Sequence, residues 1–188
     1  MHKKKDKENI LFFNKSTIKV VELIFNHPRK IFHLRMLGKD TGLSTTAINS
    51  AIEKLWLFKI CKIETTALTK NVQANIESEE YRFYKKIFNL YRIERWGLLG
   101  LLKQEFQNPE GIILFGSFSR GEDTEESDID LLVLTKKEVN IDTKLKIYEK
   151  EFNRKINIIT LPSLEKSENS FKNTVANGIV LHGYLKVV

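Results

Sequence analysis

The chain has 188 residues, of which 41% are hydrophobic and 29% are charged, and these proportions are ordinary for a soluble globular protein. It has no apolar stretch near the roughly 20 residues that cross a bilayer, and no apolar signal core behind its basic start, so we expect neither a membrane span nor a secretion signal. The single cysteine, Cys61, has no internal disulfide partner and favours a reducing, cytoplasmic setting.

The net charge of +7 is distributed unevenly along the chain. Residues 1–75 contain 14 Lys and Arg against 6 Asp and Glu, whereas residues 111–188 contain 11 against 12. A basic segment joined to a nearly neutral one predicts nucleic acid as a partner of the first. A solvated, lysine-rich surface would give the same imbalance, so charge alone leaves both interpretations open.

Three helices are predicted in the first part of the chain, after a frayed basic tail at residues 1–14. Apolar residues recur with helical spacing over 15–26, and Pro28 ends that helix because it disfavours helical geometry in the residue before it. A short second helix carries Phe32, Leu34 and Leu37. Ser44 is a suitable N-cap for the third helix, at residues 45–57, which has an apolar stripe on one side and a polar face on the other.

A β-hairpin follows, with strands predicted from Phe58 to Glu64 and from Asn71 to Ile76. Three helices and a hairpin resemble a winged helix-turn-helix domain, here over residues 15–76. The resemblance implies that the third helix enters the major groove of double-stranded DNA while wing lysines touch phosphates. The residues implied to contact DNA are Thr45, Thr46, Asn49, Ser50, Lys54, Lys62 and Lys70. The exposed face of this helix lacks arginine, so base reading would depend on Asn49 and on Thr and Ser hydroxyls. A dimerisation or protein-docking module is the alternative.

Residues 77–108 are predicted to form a helical connector. Aromatic and leucine side chains are denser here than one amphipathic face needs, and Gly97 and Gly100 weaken the second part of the helix. Such a segment suits a connector packed against both domains, or a homodimer surface. A base-stacking surface is a further alternative, but helical spacing favours core packing.

Two strands and the loop between them contain the residues that suggest chemistry. The apolar run at 111–115 predicts a buried strand, and a polar, acid-rich loop begins at Gly116 and Ser117. In the strand after the loop, side-chain alternation places Asp128 and Asp130 on one face at one end. Neighbouring carboxylates repel each other unless a cation lies between them, and their hard oxygen ligands suit Mg²⁺. The Gly-Ser turn complements them, because glycine lets backbone N–H groups approach a phosphate and a hydroxyl can bond a phosphate oxygen.

The pattern Gly116-Ser117, ten further residues, then Asp128-Ile129-Asp130 resembles the signature of the DNA polymerase beta-like nucleotidyltransferase superfamily, and in particular its minimal branch. The resemblance implies an α/β domain with a small mixed sheet over residues 109–188. It implies that Asp128 and Asp130 hold Mg²⁺, and that Gly116, Ser117 and Arg120 bind the nucleotide, with ATP the favoured substrate. The loop acids Glu122, Asp123, Glu125 and Glu126 are expected to be solvated rather than metal ligands.

A third strand, predicted over residues 155–161, departs from the family. Asn157 stands where the resemblance places a third catalytic carboxylate. An asparagine offers a carbonyl oxygen but no charge, and the third acid is commonly the group that activates the attacking hydroxyl. The substitution therefore weakens the expectation of turnover more than that of nucleotide binding.

The predicted fold class is α+β, with an N-terminal winged helix, a helical connector and a C-terminal nucleotidyltransferase domain. The leading function is transfer of a nucleoside monophosphate from a magnesium-bound nucleoside triphosphate to a hydroxyl acceptor, coupled to DNA binding. Minimal nucleotidyltransferases resemble antitoxins that modify toxins of the HEPN class, so a protein acceptor of that kind is one option. The alternative is a winged-helix transcriptional regulator whose nucleotidyltransferase domain binds nucleotide with weak or no catalysis. A third interpretation is a structural subunit of a catalytic partner.

Overall fold

The computed structural model describes residues 13–67 and 69–186, and most of the predicted basic tail lies outside them. The chain divides after Ile87 into two compact units. Among the helices of the described residues, none is both long enough and apolar enough to cross a membrane.

The first unit contains three helices and a three-stranded antiparallel sheet with the strand order β1-β3-β2. Its elements are α1 (Lys15–Asn26), β1 (Phe32–His33), α2 (Leu34–Thr41), α3 (Thr45–Leu57), β2 (Cys61–Thr65) and β3 (Lys70–Ala74). The bounds of α1 and α3 match the predicted helices. Phe32 does not lie in the second helix as predicted, because it pairs with Val72 as part of β1. A strand of two residues is too short for its alternation to be visible in the sequence.

Short polar side chains begin two of these helices. The Oδ1 of Asn14 accepts a hydrogen bond from the backbone N–H of Thr17 at 2.9 Å, and the Oγ of Ser44 accepts one from Ala47 at 3.3 Å. Each satisfies a backbone donor that the first turn leaves unpaired. Gly42 ends α2 in the left-handed region, with a φ of 68°, which costs glycine little.

The core of the first unit includes the buried side chains of Val20, Ile24, Leu37, Ile48, Ile52, Leu55 and Val72. Phe13 is also buried, with its ring centroid 5.6 Å from that of Phe58. The prediction of a frayed tail is therefore wrong at residues 13–14. Cys61 is buried as well, and this burial raises the pKa of its thiol to about 12, so the thiol stays protonated and acts as a core side chain.

The division between the units falls within α4 (Glu79–Arg95). The elements after it are α5 (Leu98–Glu105), β4 (Gly111–Phe115), α6 (Gly116–Arg120), β5 (Ile129–Leu134), α7 (Asp142–Phe152), β6 (Ile156–Leu161), α8 (Asn169–Ala176) and β7 (Ile179–Gly183). The four strands form one sheet in the order β6-β5-β4-β7. β5 and β6 are parallel and the other neighbours are antiparallel, so the sheet is small and mixed as predicted.

Both faces of this sheet are covered. One face contributes Ile112, Leu114, Ile129, Leu131 and Val133 to a core shared with α5 and α7. The opposite face contributes Ile113, Phe115, Leu132 and Leu134 to a core shared with Val175 of α8. Burial on both faces explains why β4 and residues 131–134 of β5 are continuous apolar runs rather than alternating ones.

The second half of α4 is fixed to the end of α7 by Arg92. Its Nη2 donates to the backbone carbonyls of Glu151 and Phe152, at 3.2 Å each. These carbonyls belong to the last turn of α7, which leaves its acceptors without helical partners, and a basic side chain near a helix C-terminus is favourable.

Two segments differ from the predicted elements. Residues 116–120 form the helix α6 rather than a loop, with Phe118 and Ser119 buried. A single turn is too short for its helical period to be recognised. The helical connector predicted over 77–108 is divided at Gly97, which has a φ of 77° and separates α4 from α5.

Candidate active site

The parallel strands β5 and β6 bring together the three predicted catalytic positions. Asp130 of β5 lies opposite Asn157 of β6 in the register of the pair. Asp128 precedes β5 directly, and strand alternation turns it to the same side as Asp130. All three are at least partly accessible to solvent.

The amide group of Asn157 bridges the two carboxylates. Its Nδ2 donates to Oδ2 of Asp128 and to Oδ1 of Asp130, at 3.1 Å in each case. The opposite amide orientation would bring its carbonyl oxygen against two carboxylate oxygens, which would be repulsive. The charge of the two carboxylates therefore determines that the NH₂ end of the Asn157 amide faces them.

Gly116 lies against Asp130, at the point where β4 passes into α6. Its φ is 71°, in the region that favours glycine, and a Cβ built at this position would overlap Oδ2 of Asp130. The positive φ therefore favours glycine here, and a side chain at this position would also displace the carboxylate of Asp130. Ser117, the next residue, is half-buried in the first turn of α6.

The acid pair fits a hard divalent cation. One oxygen from each carboxylate points to a common position, and carboxylate oxygens are ligands that Mg²⁺ prefers. Asn157 can add only a neutral carbonyl oxygen. Among the described residues, no cluster of three or more His, Cys, Asp or Glu could hold a metal ion. The arrangement suits a cation shared with a phosphate-containing substrate rather than one enclosed by protein ligands.

Arg120, a predicted nucleotide-binding residue, lies at the end of α6 and is exposed. Its Nε contacts Oε2 of Glu122 at 2.7 Å. With about half of each side chain accessible to solvent, this ion pair contributes little to stability. The Arg120 guanidinium is thus held by Glu122, an acid of the loop that follows α6.

One acid of that loop does not behave as predicted. Asp123 is buried rather than solvated, with 1% of its side chain exposed, and its Oδ2 lies 3.2 Å from Nη2 of Arg154, whose side chain is 3% exposed. Asn89 of α4 also contacts Asp123, because its Nδ2 donates to Oδ1 of Asp123 at 2.8 Å and to the carbonyl of Phe118 at 2.9 Å. Sequence reasoning missed all three residues, and the only signal was a lone asparagine in an aromatic-rich helix.

The buried cluster positions the chain that leads into the acid pair. Nη1 of Arg154 donates to the carbonyl of Thr124 and, at 3.4 Å, to that of Ser127. Ser127 directly precedes Asp128, and Arg154 lies three residues before Asn157 on the chain that enters β6. One guanidinium therefore connects the two segments that carry the site.

The residues predicted to contact DNA lie on the exposed side of α3 and on the β2–β3 hairpin of the first unit. Thr45, Thr46 and Ser50 are exposed, and Asn49 and Lys54 are half-buried. Nζ of Lys70 donates to Oδ1 of Asn49 at 3.1 Å, which connects the hairpin to α3. Lys62 forms an exposed ion pair with Glu77 at 2.8 Å.

A cleft of about 850 Å³ opens between α2, α3 and the hairpin. The basic side chains along it are His33, Arg35, Lys39 and Lys70, and among the lining residues that the structure describes none is acidic. Thr45 and Thr69 add hydroxyl groups, while Ile48 provides part of an apolar floor. The cleft has the composition of a site for a negatively charged ligand.

Comparison with known proteins identifies relatives of the second unit. The sequence profile of the family described as "Polymerase beta, Nucleotidyltransferase" matches residues 99–184. A protein of Methanocaldococcus jannaschii, named as a protein adenylyltransferase, is 37% identical over 70 residues, which are 35% of this chain and 71% of that protein. No solved structure matches the chain significantly.

Proposed function

The chain belongs to the polymerase beta nucleotidyltransferase family, and from this premise we propose that its second unit transfers a nucleoside monophosphate from a magnesium-bound nucleoside triphosphate to a hydroxyl group. The observation that supports this most strongly is the convergence of Asp128 and Asp130 on one position beside Gly116. Phosphoryl chemistry of this type depends mainly on positioning and on neutralising charge.

The residues have distinct roles in this proposal. Asp128 and Asp130 would hold Mg²⁺, which when bound would supply positive charge to offset that of the phosphates. Gly116 allows the backbone to approach the phosphates, and the Ser117 hydroxyl donates to a phosphate oxygen. Arg120 exchanges its contact with Glu122 for one with the triphosphate.

Asn157 cannot accept the proton of the attacking hydroxyl, because an amide is not a base at neutral pH. Turnover by this site is therefore expected to be slower than with a carboxylate at the same position. A regulator that binds nucleotide with weak or no catalysis is the alternative that this residue supports. The retained acid pair favours the enzyme, because Asp128 and Asp130 present two converging carboxylate oxygens that suit a hard cation.

The name of the archaeal relative guides the choice of substrates. That relative is named as a protein adenylyltransferase, so we propose ATP as the donor and a side-chain hydroxyl of a protein as the acceptor. A toxin of the HEPN class is one acceptor that would fit.

Incubation of the purified protein with α-labelled nucleoside triphosphates, Mg²⁺ and a lysate of its host tests this proposal. We expect label on a protein band, with ATP as the preferred donor, and no label when Mg²⁺ is removed by a chelator. Treatment of the lysate with ribonuclease before the reaction separates a protein acceptor from an RNA acceptor. If no band is labelled with any of the four nucleotides, the weakly active or inactive regulator becomes the better description.

We further propose that the first unit is a winged helix-turn-helix domain that binds double-stranded DNA. Support comes from its element order, from the polar face of α3 and from the basic cleft beside it. Lys39 and Lys70 line this cleft and are suited to phosphate contacts, whereas Asn49 is suited to an adenine edge. The domain would bring the transferase unit to a nucleic-acid locus.

Replacement of Lys39 and Lys70 by glutamine is expected to weaken DNA binding at every sequence and to lower the salt dependence of log K by about one unit for each lysine that contacts a phosphate. The measurement is fluorescence anisotropy with labelled duplexes at several salt concentrations. Lys166→Gln, an exposed lysine of the second unit, is the matched control and should leave binding unchanged. Equal binding by the double variant and the wild type would exclude the cleft from DNA recognition.

A further inference from the structure

Asn157 makes two hydrogen bonds that a third carboxylate could not make. Its Nδ2 donates to Asp128 and to Asp130 at the same distance of 3.1 Å, so the amide nitrogen stands where their oxygens converge. The partial positive charge of the NH₂ group lies between two negative groups. Asn157 therefore stabilises the acid pair in a way that a metal ion also would.

We propose that Asn157 is an amide latch, which holds Asp128 and Asp130 together when no cation is bound and which a divalent cation must displace in order to bind. This proposal rests on the proposed function, because it concerns the same pair of acids. It assigns Asn157 as a specificity-determining residue that lowers cation affinity, rather than as a weak substitute for the missing ligand.

The amide of Asn157 lowers the affinity for a cation because the two compete for the same carboxylate oxygens. The Oδ2 of Asp128 and the Oδ1 of Asp130 face the amide nitrogen, and these are the two oxygens that converge. A cation that binds these oxygens must break both hydrogen bonds. Only molecules in which the bonds are already broken can bind the cation, so the apparent affinity is the intrinsic affinity multiplied by the fraction of such molecules. Because the bonds go to charged acceptors, they are stronger than bonds between neutral groups.

The exposure of the site limits the size of the effect. Asn157 is exposed and both acids are partly exposed, so water competes for the same hydrogen bonds. We therefore expect a change of several-fold, rather than several orders of magnitude, when the amide is removed. A triphosphate that arrives with its own cation would supply the remaining driving force, so the latch favours binding of the metal–nucleotide complex over binding of the free metal.

Titration of the protein with Mn²⁺ alone, followed by the electron paramagnetic resonance signal of free Mn²⁺, tests the latch without any turnover. Asn157→Ala is expected to bind Mn²⁺ about 3–10-fold more tightly than the wild type, because the competing donor is gone. Asn157→Asp is expected to bind more tightly still, because a third carboxylate replaces the donor. Thr160→Ala, an exposed position on the same strand, is the control and should bind like the wild type.

Whether Asn157→Ala raises or lowers the affinity for Mn²⁺ shows whether Asn157 acts as a latch or as a metal ligand. A latch predicts tighter binding, whereas a carbonyl ligand predicts weaker binding, so unchanged or weaker binding would overturn the proposal while leaving the transferase site in place. Absence of Mn²⁺ binding by the wild type and by all variants would reject both the latch and the metal site. Should the alanine variant fold poorly, Asn157→Ser provides the same comparison with a side chain too short to bridge the acids.

Thermal unfolding without metal gives a second readout. The latch stabilises the metal-free acid pair, so Asn157→Ala should lower the midpoint by about 2–6 °C, and Asn157→Asp should lower it further. Saturating Mn²⁺ should raise the midpoint more in both variants than in the wild type. Equal metal-free midpoints for the wild type and the alanine variant would contradict the latch.

Discussion

Replacement of Asp128 and Asp130 together by asparagine is expected to lower nucleotidyl transfer by a factor of at least about 1,000. The substitution preserves the size of both side chains but removes the negative charge that holds Mg²⁺. Since phosphoryl transfer depends on the neutralisation of charge as pyrophosphate departs, the loss should fall mainly on kcat. The measurement is the initial rate of label transfer from α-labelled ATP over a range of ATP and Mg²⁺ concentrations.

The same double variant should remain folded. Neutral amides remove the repulsion between the two carboxylates but also weaken the hydrogen bonds from Asn157, so the free energy of unfolding should change little. Glu125→Gln is the matched control, because this acid lies in the same loop but outside the converging pair. Its transfer rate should equal that of the wild type. A double variant that retains transfer within tenfold of the wild type would place the chemistry elsewhere in the chain.

The sequence predicts those elements of the fold that are specified by residues close together along the chain. The strands β4 and β5 are apolar runs bounded by turns, so their positions are predicted within a residue. The helix α3 is predicted at 45–57 because Ser44 caps it and an apolar stripe defines its length. For the candidate site, the resemblance to the nucleotidyltransferases implies that the acids lie beside the Gly116 turn and that Asn157 lies beside them, and in the structure Asn157 is opposite Asp130.

The remainder depends on contacts between distant segments. Asp123 lies in an acid-rich segment between Glu122 and Glu125, and nothing in this local pattern distinguishes it from its exposed neighbour Glu122. Its burial results from Asn89 and Arg154, which lie 34 and 31 residues away along the chain. Similarly, the sequence places Asn157 in the site but cannot show which end of its amide faces the acids, since the hydrogen bonds decide this.

The buried ion pair of Asp123 and Arg154 gives the largest expected effect on stability. Arg154→Met keeps most of the length of the side chain but removes this ion pair from the carboxylate of Asp123, which is 1% exposed. Breaking a buried pair in this way typically costs about 3–5 kcal/mol of unfolding free energy. Urea denaturation followed by circular dichroism measures it. Arg120→Met, which breaks an ion pair of 2.7 Å that is about half exposed, is the matched control, and should cost less than about 1 kcal/mol.

A second variant identifies the cause of the loss. When Asp123→Asn is added to Arg154→Met, the buried charge disappears while the amide can still bond to Asn89. The double variant should therefore recover part of the stability lost by Arg154→Met alone, although the carbonyls of Thr124 and Ser127 remain without their donor. No recovery would mean that those carbonyl contacts, rather than the ion pair, account for the loss.

Arg154→Met should also lower the rate of nucleotidyl transfer at temperatures where the protein is still folded. Arg154 holds the carbonyl of Ser127, the residue before Asp128, so its loss should loosen one of the two acids relative to the other. Positioning errors of about 1 Å can cost about 100-fold in rate. Transfer measured well below the unfolding midpoint should then fall in Arg154→Met and remain low in the double variant, because neutralising Asp123 restores stability but not the contact with Ser127. Recovery of both properties together would show that Arg154 acts on the site only through the stability of the unit.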